Sequence, residues 1–453
     1  MTQTPTRSDE RTDRTTRYDL ITVGSVVALV VVAALVGWAM LRAFVPGGPT
    51  PYLAWPPLSG RWGPHVGPGT MPAIAVAAII VLYGRELSTR LRFRTLLPVA
   101  YVAAVAWTFF LALIDGWQFG IAGRLTRPAE YLHDVPRVTD IGQFLRHFSD
   151  GIVRGPDAWT EHVSGHPPGV TLFFVALDRI GLGGGAIAGM ICILLGSSAC
   201  IAVAVALKAL GMAETARKTL PFGVLFPGAV WIGVSADGIF TAVVAWGVAA
   251  IAVGAAGRGL FRDLASVCGG LLLGYGSYLS YGLILAGTLP LAVAIITRRI
   301  RPLVIGAIAA IAVVAAFTAA GFAWWQGVHL VQIRYYQGVA SQRPYWYFVW
   351  ADLAALAFST GPAVVAGLRR SVKWRVRGRA SRGPLSLVAA AALSILLADL
   401  SGLSKAEVER IWLPFAVWLV PACALLPART SRWWLAAQAV LALAVNHLVV
   451  TGW

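Results

Sequence analysis

The residue types that could do chemistry gather in a few stretches. Residues 115–167 hold Asp115, Glu130, Asp134, Asp140, Asp150, Asp157 and Glu161, seven of the chain's 20 acids, with His133, His147, His162 and His166, four of its 7 histidines. A stretch this long in a compact protein is either functional or disordered, and its aromatic content argues for function. The loop Trp324–Tyr347 adds Arg334, Arg343 and Tyr345 among several tryptophans and tyrosines. Its guanidinium groups could grip a phosphate through forked hydrogen bonds. Its rings could pack on sugar C–H surfaces or form a bilayer-edge belt. Tyr278 and Tyr281 fall in a nearby turn, Gly274–Gly282. Arg410, beside Glu407 and Glu409, either holds a phosphate or makes an interfacial salt bridge of little worth. Asp237, between two apolar runs, is either a functional carboxylate or, with Ser235, a helix cap. His166 stands just before Pro167-Pro168, a pair suited to a helix's first turn because it lacks N–H donors.

Membrane helices must position these residues. The 453 residues are 58% apolar and 13% charged, against roughly a quarter charged in a soluble domain. Runs of about 20 apolar residues recur throughout, which excludes a soluble enzyme and a disordered chain. The alternating pattern of a membrane barrel is absent. The net charge of +17 reads as arginine-rich cytoplasmic loops, with no nucleic acid as partner. The basic clusters are Arg85–Arg94, Lys208–Lys218, Arg258 with Arg262, Arg298–Arg301, Arg369–Arg382 (which includes Lys373, Arg375, Arg377 and Arg379), and Arg429 with Arg432. Placing all six in the cytoplasm gives a multi-pass plasma-membrane protein with its N-terminus inside.

The expected fold is an all-α polytopic bundle of about thirteen transmembrane helices. They fall at about 20–44, 71–84, 96–114, one crossing within 168–207, 219–234, 238–256, 264–279, 281–297, 303–323, 346–367, 384–400, 411–427 and 434–451. A half-embedded helix after Pro168 precedes the single crossing in 168–207. Residues 1–19 read as a disordered cytoplasmic tail, 20–95 as two N-terminal spans, and 96–451 as a bundle with an outer loop at 115–167. Within that loop Ile141, Phe144, Leu145, Phe148 and Ile152 form one apolar helical stripe, as in an interfacial helix. The 4 cysteines lie in apolar runs with no CxxC pair, so neither a zinc site nor a disulfide framework is expected. A P-loop, a GxSxG elbow and a dinucleotide fingerprint are missing.

The outer-face pattern resembles the GT-C class of integral-membrane glycosyltransferases, which includes protein O-mannosyltransferases, lipid A aminoarabinose transferases and mycobacterial envelope mannosyl- and arabinosyltransferases. The likeness rests on Asp115-Gly-Trp-Gln-Phe and Glu130-Tyr-Leu-His-Asp134-Val in the first long outer loop, on His166-Pro167-Pro168, on Asp237 in Ser235-Ala-Asp-Gly-Ile-Phe240, and on Arg410 in Glu409-Arg-Ile-Trp-Leu-Pro414. It spans roughly residues 96–420. Two helices precede the one bearing Asp115, and the family's Asp-Glu pair is absent.

The resemblance implies transfer of a sugar, mannose or arabinose, from a polyprenyl-phosphate donor to a hydroxyl of an envelope glycolipid or polysaccharide outside the membrane. A carboxylate with a pKa raised by burial would act as general base, with inversion at the anomeric carbon. That role stays open among Asp115, Glu130 and Asp134. Arg410, then Arg334 and Arg343, would stabilise the departing phosphate. His162, His166, Asp237, Tyr278, Tyr281, Tyr345 and Glu409 complete the expected substrate site. No cofactor is required, although seven acids in one loop could bind a divalent cation. The competing expectations are a lipid or solute transporter, which would carry paired broken helices, and a non-catalytic scaffold of envelope synthesis.

Overall fold

The computed structural model describes residues 7–374 and 382–451, and nearly every apolar run in it is helical. In lipid a backbone must satisfy its own hydrogen bonds, which favours this outcome. The only strands among the described residues are Gly60–Trp62 and Val449–Thr451, an antiparallel pair. Among the described residues seven helices are long and apolar enough to cross a membrane: Thr15–Arg42, Thr70–Arg90, Phe93–Ile114, Gly185–Ala209, Ala236–Ala255, Arg301–Ala319 and Gly383–Leu400. Their outer faces carry apolar side chains with nothing of the protein over them, such as Val102, Ile308 and Ile311.

Other expected spans are shorter or interrupted. The segment 219–234 breaks into Ala213–Val224 and Ala229–Ile232, with Pro227 between them. The segment 281–297 starts as a tighter turn before Thr288–Thr297, and 411–427 divides around Trp412 and Val417 with Pro414 and Pro421 inside. Proline lacks the N–H that would continue the ladder, so these breaks follow from the residues. Helix Leu260–Gly276 has 17 residues and Ser431–Leu448 has 18. Tyr345–Thr360 and Pro362–Val372 meet at 110°, where Gly361 adopts φ +80. The pair gives an eighth span if it is one. In 168–207 a 12-residue helix, Pro168–Arg179, precedes Gly185–Ala209, one helix long and apolar enough to cross.

The tail expected at 1–19 is helical from Arg7, continuous with the first span. Its Asp19 is fully buried and accepts hydrogen bonds from Arg369 and Arg370. This ion triad ties down one end of the helix, which also packs at Ala33 on Tyr345–Thr360, where the Tyr347 hydroxyl donates to the Ala33 carbonyl. Residues 1–6 lie outside the described residues, as do Arg375, Arg377 and Arg379 of the longest basic cluster; of Lys373 and Arg382 only the backbone is described.

The described basic clusters share one end of the bundle. Arg217 donates to the carbonyls of Ser88 and Leu91, Arg85 to Ala428, Arg370 to Leu425, and Arg299 to Ala255. Asp115 and Asp237 lie at the opposite ends of Phe93–Ile114 and Ala236–Ala255. Small residues let the helices approach closely. A Cβ on Gly270 would stand 2.0 Å from the Gly306 carbonyl oxygen, where Leu260–Gly276 crosses Arg301–Ala319. Backbone cannot move aside as a side chain can, so Gly270→Ala should destabilise by about 1–3 kcal/mol. Thermal unfolding in detergent checks this, and an unchanged midpoint would remove the tight crossing.

Candidate functional site

Three segments distant in sequence meet at the end opposite the basic clusters. Glu130, Tyr131, His162 and His166 come from the long loop. Asp237 comes from the first turn of Ala236–Ala255, and Arg410 from the short helix Val408–Ile411. Arg410 Nη1 donates to Asp237 Oδ2 at 2.5 Å, and Nη2 donates to Glu407 Oε2 at 2.9 Å. Glu130 Oε2 lies 3.7 Å from His162 Nδ1, too far for a hydrogen bond. His166 Nδ1 donates to the His162 carbonyl at 2.8 Å. The Tyr131 ring wedges edge-on against both imidazoles, 5.7 Å from each, and stacks on Phe174.

Local chemistry explains the placement. His166 is extended ahead of Pro167, as a residue before proline must be. Ser235 sits at the N-cap, but its Oγ donates to the Trp231 carbonyl rather than capping the helix. Asp237 is therefore the acid of the first turn, where the helix dipole favours it. Ala406 and Glu407 have φ of 72 and 63, and such strain costs about 1–3 kcal/mol per residue. It is offset by the Ala406 N–H donating to Asp352 and by the Arg410–Glu407 pair.

Burial sets the charge states. Glu130 is 7% exposed, and its pKa is pushed up to about 7: burial raises it, Arg410 lowers it and Asp237 raises it again. His162 falls well below its ordinary value through burial and then through Arg410, so it is neutral at pH 7. His166 is lowered too, again chiefly by burial. Burial also works against the Arg410 charge, but Asp237 and Glu407 outweigh it and hold the guanidinium ionised far above neutrality. The result is a buried carboxyl group balanced between its two forms, beside neutral imidazoles and a fixed cation.

The other two candidate bases have settled partners. Asp115 accepts from Arg124 Nη2 and pairs with His65 Nε2, both at 2.8 Å. Arg124 also donates to the Thr451 carbonyl, so Asp115 anchors the C-terminal strand. Asp134 accepts from Arg137 Nη1 and from the Thr160 N–H, both at 2.8 Å, and it pins the loop to itself. The stripe from Phe144 to Ile152 is buried, with Phe148 packed on Trp159 and Phe322. It therefore faces protein, while Ile141 is exposed.

Of the remaining expected site residues, Arg334 comes closest. Its Nε donates to Ser164 Oγ at 3.2 Å, between His162 and His166. Arg343 is buried and donates to the carbonyls of Pro51 and Lys405. Glu409 is fully buried, accepts from the Ser59 N–H at 3.0 Å, and is pushed up to about 7 by burial. Tyr278 stacks on Phe317 at 3.8 Å within the core. Tyr281 packs beside Trp324, and Tyr345 is exposed, its hydroxyl donating to the Leu400 carbonyl. These last three are not brought to the Glu130 cluster. Sequence reasoning misses Tyr131, whose one signal is its place beside Glu130, and Arg124, which gives none. Among the described residues no group of three or more His, Cys, Asp or Glu side chains could hold a metal ion. Compared with known proteins, the chain matches no family model and no curated protein sequence.

Proposed function

We propose that this protein is a membrane glycosyltransferase that moves a sugar from a polyprenyl-phosphate carrier to a hydroxyl of a cell-envelope acceptor, with Glu130 as general base. The observation that carries the reading is a buried carboxyl group with a pKa near 7, set between the neutral His162 and the Asp237–Arg410 pair. In the reaction the acceptor oxygen forms a bond to the anomeric carbon and its proton passes to Glu130. The bond from that carbon to the phosphate oxygen breaks, and polyprenyl phosphate leaves. One displacement inverts the centre. Asp237 and Glu407 hold Arg410 beside Glu130, where its charge stabilises the carboxylate form of the base. Arg334, whose one side-chain hydrogen bond among the described residues goes to the neutral hydroxyl of Ser164, is the cation with donors to spare for the phosphate. Mannose or arabinose as the sugar, an active site outside the plasma membrane, a cytoplasmic N-terminus and thirteen crossings belong to the same proposal.

The deciding experiment compares envelope glycolipids and polysaccharides with and without the gene. A glycan shortened by one kind of residue is expected; unchanged glycans would remove the function. The base also fixes a pH profile. Transfer should rise tenfold per pH unit up to about 7 and level off above it, read as initial rates on purified protein. A rate that is flat from pH 5 to 8 would remove Glu130 as base. The stability sign is opposite. The fold favours neutral Glu130, so that contribution is complete below its ordinary 4.5 and is lost as pH rises through about 7.

A second reading, a transporter, has one observation in its favour. The first of the half-helices bent at Gly361 carries the buried Asp352, Asp399 is buried on Arg382–Leu400, and broken helices with buried acids mark transport sites. Proteoliposomes that accumulate a solute without forming a glycosidic bond would favour it over transfer.

A further inference from the structure

We infer that a cleft at the basic end of the bundle is a binding site for a phosphate group. The cleft encloses about 440 Å³ and is lined by Arg85, Glu86, Thr89, Ala428, Arg429 and Arg432. It lies where helix Thr70–Arg90 ends and helix Ser431–Leu448 begins. Thr70, at the other end of the first helix, bonds His447, near the far end of the second. Each helix is about 30 Å long at 1.5 Å per residue, so the cleft is remote from Glu130.

Two independent features give it the chemistry of an anion site. The first is its cations. Arg85 Nη1 donates to the Ala428 carbonyl at 2.5 Å, which pins the guanidinium at the wall. Its other donors meet no protein acceptor among the described residues, and no carboxylate there pairs with Arg432. The one acid, Glu86, is engaged by Arg90 at 3.0 Å. The second feature is the start of an 18-residue helix that no side chain caps. Its first N–H groups carry the positive end of the helix dipole. Membrane topology asks only that arginines be present at this end; it does not ask that they line one cleft with an uncapped helix start.

The phosphate could belong to an anionic phospholipid or be free in solution. Trp433 (77% exposed) and Tyr83 (54% exposed) flank the arginines, which is where aromatic side chains meet lipid headgroups.

The test uses the full-length protein in detergent, with binding followed by tryptophan fluorescence. The probes are micelles doped with phosphatidylglycerol, micelles doped with phosphatidylcholine, and inorganic phosphate. Phosphatidylglycerol should bind at least about tenfold more tightly than phosphatidylcholine. The triple variant Arg85→Gln, Arg429→Gln, Arg432→Gln should lose that preference, because it lacks the charge-assisted bonds. Glu86→Gln should bind phosphatidylglycerol more tightly than the wild type, a gain that damaged folding would not give. The same pattern with inorganic phosphate would assign the site to a soluble anion. Equal binding of the two lipids, or an undiminished preference in the triple variant, would overturn the inference.

Discussion

Glu130→Gln should reduce sugar transfer by about 10²–10⁴-fold, the usual contribution of a general base, while the protein still folds. Glutamine has the shape of glutamic acid, and the fold already favours a neutral group at this position. The measurement is incorporation of labelled sugar by the purified variant, with thermal unfolding as control. The neighbouring acids give the contrast. Asp115→Asn removes the counter-charge of Arg124, which is 4% exposed, and breaking such a buried pair costs about 3–5 kcal/mol. Asp134→Asn weakens the bonds to Arg137 and to the Thr160 N–H. Both should lower the unfolding temperature and leave the turnover of folded protein near wild type. A variant at Glu130 that keeps full turnover, with Asp115→Asn folded but inactive, would move the base to Asp115.

Arg410→Ala carries the second large effect. It leaves Asp237, 3% exposed, facing Glu407 and Glu130 with no cation between them, so a loss of about 3–5 kcal/mol is expected. Arg410→Lys separates folding from function: the charge stays, but the two-pronged geometry that spans Asp237 and Glu407 is lost. It should fold, and because a less firmly held cation stabilises the carboxylate form of Glu130 less, transfer should level off above the wild-type pH of about 7, with donor use little changed. Asp237→Asn combined with Arg410→Gln should be more stable than Arg410→Ala alone, because no unpaired charge remains at either position. A pH profile that levels off at the wild-type pH in Arg410→Lys would remove the action of Arg410 on Glu130.

Much of this site is legible in the sequence. Acids, histidines and non-topological arginines fall between apolar runs on one side, and Glu130, His162, His166, Asp237 and Arg410 do converge. The choice among Asp115, Glu130 and Asp134 is not legible. It depends on which acids find partners in the fold: Arg124 and His65 for one, Arg137 and a loop amide for another. Nothing in the spacing reveals those pairs. Helix continuity is half legible. Prolines at 227, 414 and 421 foretell breaks, yet a hydropathy count passes over them because proline does not make a window polar. The helical start from Arg7 is likewise hidden in local composition, since Asp19 is held by residues far along the chain.

That last contact sets an order for biogenesis. Asp19 and its partners Arg369 and Arg370 are separated by 350 and 351 residues, so at roughly 5–20 residues per second the ribosome needs on the order of 20–70 s to supply the second half of the triad. Throughout that interval Asp19 lacks both of the arginines that meet it in the finished fold. Nascent chains stalled before residue 369 should therefore be cleared by membrane quality-control proteases faster than chains stalled after residue 370.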